Sequence, residues 1–182
     1  MGAVHLTGTV SGVAGNVIAR VHYRRPRTRH LVGIALELAA VVAQTASTDW
    51  RALLVTRAEG GGDPPKCQVV TVVGDPSTAA ALLDVAAEFR VAALRSAVPL
   101  FEETSRLYHT NRFVDEDKLF GNDFVSGDLG DDDTGFVWGS STMADVLACE
   151  PSFGDLADLL WGAIACAVKP RDVKIETNGA AS

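Results

Sequence analysis

Five arginines, Arg20, Arg24, Arg25, Arg27 and Arg29, crowd one short stretch of the chain, with Tyr23, His22 and His30 among them. A guanidinium group is a planar fork of donors that matches phosphate oxygens, so the chemistry these residues suit is the gripping of a nucleic-acid backbone. Nothing in the cluster is built to read bases. A solvated edge, or a contact with an acidic partner, answers the same charge pattern. Arg20, Tyr23, Arg24, Arg25, Arg27 and Arg29 are the candidate DNA-contacting residues.

Other chemistry finds less support. His22 or His30 could act as a general base beside the arginines only with a partner that the sequence does not supply. Asp128, Asp131, Asp132 and Asp133 lack the Asp/Asn spacing, the following glycine and the closing glutamate of a calcium loop, and are expected to form a solvated acidic loop. Ser140, Ser141 and Thr142 stand outside any G-x-S-x-G pattern and are expected to cap a helix at Ala144. The loop Gly60-Gly61-Gly62-Asp63-Pro64-Pro65 leads through Lys66 into a strand, whereas a phosphate loop opens a helix. Cys67, Cys149 and Cys166 are odd in number, widely spaced and free of a C-x-x-C pair, which fits a reducing cytoplasm. Cys166, in the run Leu159, Leu160, Trp161, Ile164, is expected to be a buried small hydrophobe.

Charge divides along the chain. Up to Thr48 there are five arginines against Glu37 alone, a net +4, while the remainder carries 11 basic and 22 acidic residues, a net −11 within the total of −7. Any DNA contact therefore belongs near the N-terminus. With 47% apolar and 21% charged residues among 182, the chain has the composition of an ordinary globular protein and is expected to form one domain over residues 1–168 with a polar tail at 169–182. The most apolar stretch, Leu31 to Ala46, is interrupted by Glu37 and Gln44 and is shorter than the roughly 20 residues that span a bilayer. It reads as a buried helix; no membrane role, leader peptide or myristoylation signal is expected.

Residue patterns then place the elements. His5 to Val10 and Val17 to Tyr23 read as the strands of a hairpin around a turn at Ser11 to Asn16. In the second strand, Val17, Ala19, Val21 and Tyr23 share one face, and Ile18, Arg20, His22 and Arg24 share the other, which is expected to be wet. After Pro26, Thr28 can cap a helix whose face is Leu31, Ile34, Ala35, Leu38 and Val42. Trp50 to Thr56 and Cys67 to Val73 read as buried strands. A long helix begins at Asp75 and Ser77 with a stripe of Leu82, Ala86, Phe89 and Ala93, and a shorter one with Leu107, Tyr108 and Phe113 starts near Thr104. A last helix runs from Asp155 to about Val168.

The opening order of strand, strand, helix, strand is that of the catalytic half of PD-(D/E)XK nucleases. Such a site needs carboxylates to hold Mg²⁺ and a lysine to place the attacking water. Here Ser11 stands where the first aspartate would be, and His22 and Arg24 stand at the second carboxylate and the lysine. Glu37 is the sole acid before Asp49.

Six stretches, in this order, resemble the C-terminal domain of the RecC family, the gamma chains of exodeoxyribonuclease V, in its actinobacterial form. They are Leu6-Thr7-Gly8-Thr9-Val10, Val17 to Tyr23, Leu36-Glu37-Leu38-Ala39-Ala40, Asp49-Trp50-Arg51-Ala52, Pro99-Leu100-Phe101 with Glu103-Thr104-Ser105, and Phe136-Val137-Trp138-Gly139. The resemblance covers most of residues 4 to 168 and lies in the series, not in one motif. It implies an α/β, restriction-endonuclease-like core at about 4–57 without catalytic residues, followed by a helical part. It also implies a fragment of a gamma chain that works with a beta (RecB-like) and an alpha (RecD-like) chain on broken double-stranded DNA for recombinational repair. ATP and Mg²⁺ are then used by the partner subunits, and no cofactor or metal belongs to this chain. A residual metal-dependent nuclease and a truncated product without function are the alternatives.

Overall fold

A computed structural model describes residues 6–24, 27–57, 65–113, 119–122, 125–130, 137–138 and 140–173. The chain is an α/β protein whose contacts divide it into two units. Among the described residues, one is built on those up to Ala80 together with those from Cys166 onward, and the other on Ala81–Ala165.

The first unit holds a five-stranded mixed sheet. Gly15, at φ +59°, turns strand β1 (Val13–Ala14) directly onto β2 (Val17–His22) through a two-residue loop, a conformation that glycine adopts without strain. Helix α1 (Thr28–Thr45) then carries the chain back, so that β3 (Arg51–Thr56) lies parallel to β2, Ile18 beside Ala52 and His22 beside Thr56. β4 (Lys66–Val72) and β7 (Val168–Val173) complete the sheet in antiparallel register. Parallel neighbours need a long crossover, which α1 supplies.

Registered partners share a face, so Ile18, Ala52 and Val70 form one row, and Arg20, Leu54, Gln68 and Asp172 the next. α1 packs over these strands, burying Ile34, Ala35, Leu38, Ala39 and Val42, as its apolar spacing predicts. The covered face of β2 is therefore the one that carries Ile18, Arg20 and His22. This corrects the expectation that the arginine side is wet: Ile18 is fully buried, while Val21 is 75% exposed on the opposite face. The expected strand at residues 5–10 is also not formed over its described part, Leu6 to Val10, and β1 is instead the two-residue Val13–Ala14, inside the expected turn.

The tail expected from residue 169 is instead partly strand. Val168–Val173 pairs with Lys66–Val72, with Pro170 opposite Val70 at the sheet edge, where a missing N–H costs no ladder bond. Gln68 Nε2 donates to Asp172 Oδ1 at 2.8 Å across that pair. Residues 174–182 lie outside the described residues.

Helix α2 (Pro76–Ala93) leads into the second unit, which contains α3 (Glu102–Asn111), a small β5–β6 pair (Gly121–Asn122 with Val125–Ser126), α4 (Met143–Leu147) and most of α5 (Phe153–Ala167). Its core is Phe101, Leu119, Val146 and Phe153, with Tyr108, Leu129 and Trp138 packed against it. Rings meet edge-on, Phe101 with Trp138 at 5.9 Å and Tyr108 with Phe153 at 5.4 Å, the geometry that aligns ring edges with ring faces. Trp161 Nε1 donates to Ser105 Oγ at 3.0 Å inside the unit, so a buried indole is satisfied.

Three local expectations resolve here. Thr142 caps α4: its Oγ1 accepts from Asp145 N–H at 3.3 Å while Asp145 Oδ2 accepts from Thr142 N–H at 2.7 Å. Asp128 is not part of a merely solvated loop, because its carboxylate takes the N–H groups of Glu103 (3.1 Å) and Thr104 (2.9 Å) at the start of α3. Asp131, Asp132 and Asp133 lie outside the described residues. Cys166, expected to be buried, is exposed, since the last turn of α5 directs Ala167 inward instead.

Candidate nucleic-acid interface

The carboxyl ends of parallel β2 and β3 and the start of α1 meet at one end of the first unit. Strand ends of this kind, beside a helix start, are where α/β sheets take ligands. The parallel pairing continues past the strands, with Arg57 N–H donating to Arg24 O at 2.9 Å. That bond sets Arg24 and Arg57 side by side. Lys66 joins them through the row His22, Thr56, Lys66.

From α1 come Arg27, Arg29 and His30. Arg24, Arg27, Arg29 and Arg57 are all exposed, and Tyr23 is 91% exposed. The imidazoles of His22 and His30 stack with centroids 4.2 Å apart and planes 7° from parallel. Arg27 N–H donates to His30 Nδ1 at 3.3 Å, which makes that nitrogen an acceptor and places the proton of the neutral ring on Nε2. Partial burial, then His22 and the arginines at 29, 27 and 24, hold the His30 pKa below its ordinary value.

Six residues are expected to touch DNA, and the fold separates them. Arg24, Arg27 and Arg29 converge around His30, and Tyr23 stands exposed beside them. Arg20 is withdrawn beneath α1: its Nη2 lies 2.7 Å from Glu37 Oε2, its Nε donates to Glu37 Oε1 at 3.2 Å, and its Nη1 donates to Ser11 O at 2.7 Å. The Nη2–Oε2 approach at 2.7 Å is an ion pair and not a second aligned hydrogen bond, because Oε2 has no donor in hydrogen-bond geometry. Arg20 is therefore a tie between β2, the segment before β1 and the helix. Arg25 lies outside the described residues.

The positions of the degenerate nuclease pattern are also distributed. Ser11 meets Arg20 through its carbonyl, His22 is stacked on His30, and Arg24 belongs to the basic end. Among the described residues, no three His, Cys, Asp or Glu side chains gather closely enough to hold a metal ion. A shallow depression of about 340 Å³, lined by Asn16, Val17, Asp49 and Arg51, lies at the other end of β2 and β3, away from this chemistry. Burial pushes the Cys67 thiol up, leaving it a poor nucleophile.

Sequence reasoning misses Arg57 and Lys66. The available signal is topological: a strand, a helix and a second strand place Arg57, just past Thr56, at the same end as Arg24 whenever the strands run parallel. It also misses an ionic clamp in the second unit, where Asp158 of α5 receives His109 Nδ1 at 2.8 Å on one oxygen and Arg112 Nη1 on the other. Arg112, then His109, holds the Asp158 carboxyl below the usual range.

Neither family models, nor curated proteins, nor solved structures yield a match to this chain. No helix among the described residues is long and apolar enough to cross a membrane.

Proposed function

We propose that this chain is a non-catalytic part of the gamma subunit of exodeoxyribonuclease V, gripping a DNA strand by its phosphates while partner subunits unwind and degrade broken ends. The observation that carries the reading is the gathering of Arg24, Arg27, Arg29, Arg57 and Lys66 where parallel strands end and α1 begins. The family reading rests on the ordered series of sequence stretches. The restriction-endonuclease-like frame draws support from the β1, β2, α1, β3 order, with β2 and β3 parallel around α1.

In this reading, Ser11, His22 and Arg24 replace the metal-binding and lysine positions of a nuclease, so phosphate is held but not cut. ATP and Mg²⁺ act in the beta and alpha chains, and this domain docks against the alpha chain in the cytoplasm.

The test is binding of a labelled oligonucleotide across a salt series. Changing Arg24, Arg27 and Arg57 together to Ala is expected to weaken binding without sequence preference. It should also flatten the plot of log K against log salt by about 0.7 for each phosphate of a single strand that is no longer neutralised. Unchanged affinity and slope would remove the DNA-path role. Co-purification with a RecD-like alpha chain tests the docking, and failure to co-purify would count against it.

A further inference from the structure

We infer that the His22–His30 stack is a proton-operated gate of the phosphate site, so that a DNA strand binds with proton uptake and more tightly as the solution becomes more acidic. This rests on the phosphate-binding reading above and adds its regulation.

The geometry poses a conflict that only a proton can resolve. Neutral His30 offers the lone pair of Nδ1 to the N–H of Arg27 at 3.3 Å, so the ring occupies a donor at the start of α1 that an anion would otherwise use. When Nδ1 accepts a proton from solvent, it becomes a donor facing a donor, and the hydrogen bond breaks. Protonation therefore releases Arg27 N–H and adds an Nδ1–H, two donors directed at the basic end. Both suit phosphate oxygens.

Without a ligand, the surroundings resist that proton. On the β2 side His22 stacks on the ring at 4.2 Å, and Arg24 follows it; on α1 Arg27 and Arg29 flank it; beyond lie Arg57 after β3 and Lys66 on β4. Of the described carboxylates of the covered face, Glu37 pairs with Arg20, and Asp172 accepts from Gln68 and lies 3.9 Å from the Lys66 ammonium. Partial burial, His22 and the arginines at 29, 27 and 24 keep the His30 pKa below its ordinary value, so the ring is neutral at neutral pH. A bound phosphodiester brings negative charge beside the ring, which favours the imidazolium. The sign follows: the bound state holds more protons than the free state, so the association constant rises as pH falls through the interval between the free and bound values.

The experiment uses the whole chain and a fluorescein-labelled oligothymidylate of about 20 nucleotides, with anisotropy read from about pH 6 to pH 8 at constant ionic strength. Wild type is expected to bind about tenfold more tightly at pH 6 than at pH 8, the effect of roughly one proton taken up over part of that range. His30→Asn keeps an acceptor oxygen near the Nδ1 position but cannot be protonated, and its affinity should change by less than about twofold between pH 8 and pH 6. His22→Gln is expected to reduce the gain without abolishing it. The imidazole proton resonances of wild type give a variant-free readout: the His30 titration should move to higher pH when the oligonucleotide is present.

A flat wild-type profile overturns the inference, and so does a profile that His30→Asn retains. Salt-sensitive binding without pH dependence would sink the gate and leave the phosphate site standing. Absence of binding at every pH would remove both.

Discussion

Arg20 of β2 and Glu37 of α1 meet across the crossover at two points, Nη2 to Oε2 at 2.7 Å and Nε to Oε1 at 3.2 Å. The same guanidinium reaches back to Ser11 O, so one side chain fastens the segment before β1, the strand and the helix together. The most acid-poor part of the chain thus spends its single carboxylate on architecture. Glu37 is accordingly a poor candidate for metal-dependent chemistry, and Arg20 for a DNA contact.

With side chains 19% and 33% exposed, the pair sits between the surface and buried regimes. Arg20→Ala and Glu37→Ala are each expected to lower the unfolding free energy by about 1–2 kcal/mol, with clear non-additivity in the double variant. Urea unfolding of the four proteins measures it. Additive losses would show that the ion pair adds nothing of its own.

Gly12 and Gly15 separate two costs that are usually confounded. Both have positive φ, +63° and +59°, but a Cβ on Gly12 would lie 2.6 Å from Ala19 O and 2.9 Å from Arg20 Nη1, whereas one on Gly15 would meet nothing within 4 Å. Gly15→Ala is expected to cost about 1 kcal/mol for the left-handed backbone alone. Gly12→Ala should cost clearly more, and it should loosen the hold of Arg20. Equal losses in chemical denaturation would contradict this geometry.

Thr104, fully buried at the third position of α3, has a hydroxyl oxygen with no hydrogen-bond partner among the described residues. Its N–H is held by Asp128 and does not depend on the side chain. Thr104→Val keeps the shape and removes the unsatisfied group, and it is expected to raise stability by about 1 kcal/mol. A lower melting temperature in the variant would refute the assignment.

Asp75 anchors the start of α2. Its Oδ1 accepts from Ser77 Oγ at 2.6 Å, from Thr78 N–H at 2.9 Å and from Thr78 Oγ1 at 3.0 Å, and these bonds, that of Ser77 foremost, hold its pKa down to about 2. Because the folded value lies below the ordinary value of about 4, the stabilisation is complete above pH 4 and is lost as pH falls toward 2. The gap in melting temperature between wild type and Asp75→Ala should be constant from pH 7 to about pH 4 and narrow steadily below it. A gap independent of pH down to about 2 would show that the carboxylate charge is not what anchors the helix.

Periodicity determined α1, α2 and the body of α5, each with an apolar face at helical spacing, while β3 and β4 were legible as short β-branched apolar runs. The sequence also determined that positive charge gathers before Thr48. It could not determine which face of β2 lies inside. A period of two marks two faces without saying which is covered, and the alternatives Val17, Ala19, Val21 and Ile18, Arg20, His22 were settled only when α1 set Glu37 over Arg20. Nor could it find β7, since Lys169, Pro170, Arg171 and Asp172 look like a solvated tail until Lys66–Val72 offers them an edge to pair with, and charged residues and proline are what an exposed edge carries. The His22–His30 stack belongs to the same class. Eight positions apart, on a strand and a helix, the two rings become neighbours only where α1 packs on the sheet, which is a property of the packed unit and not of either element alone.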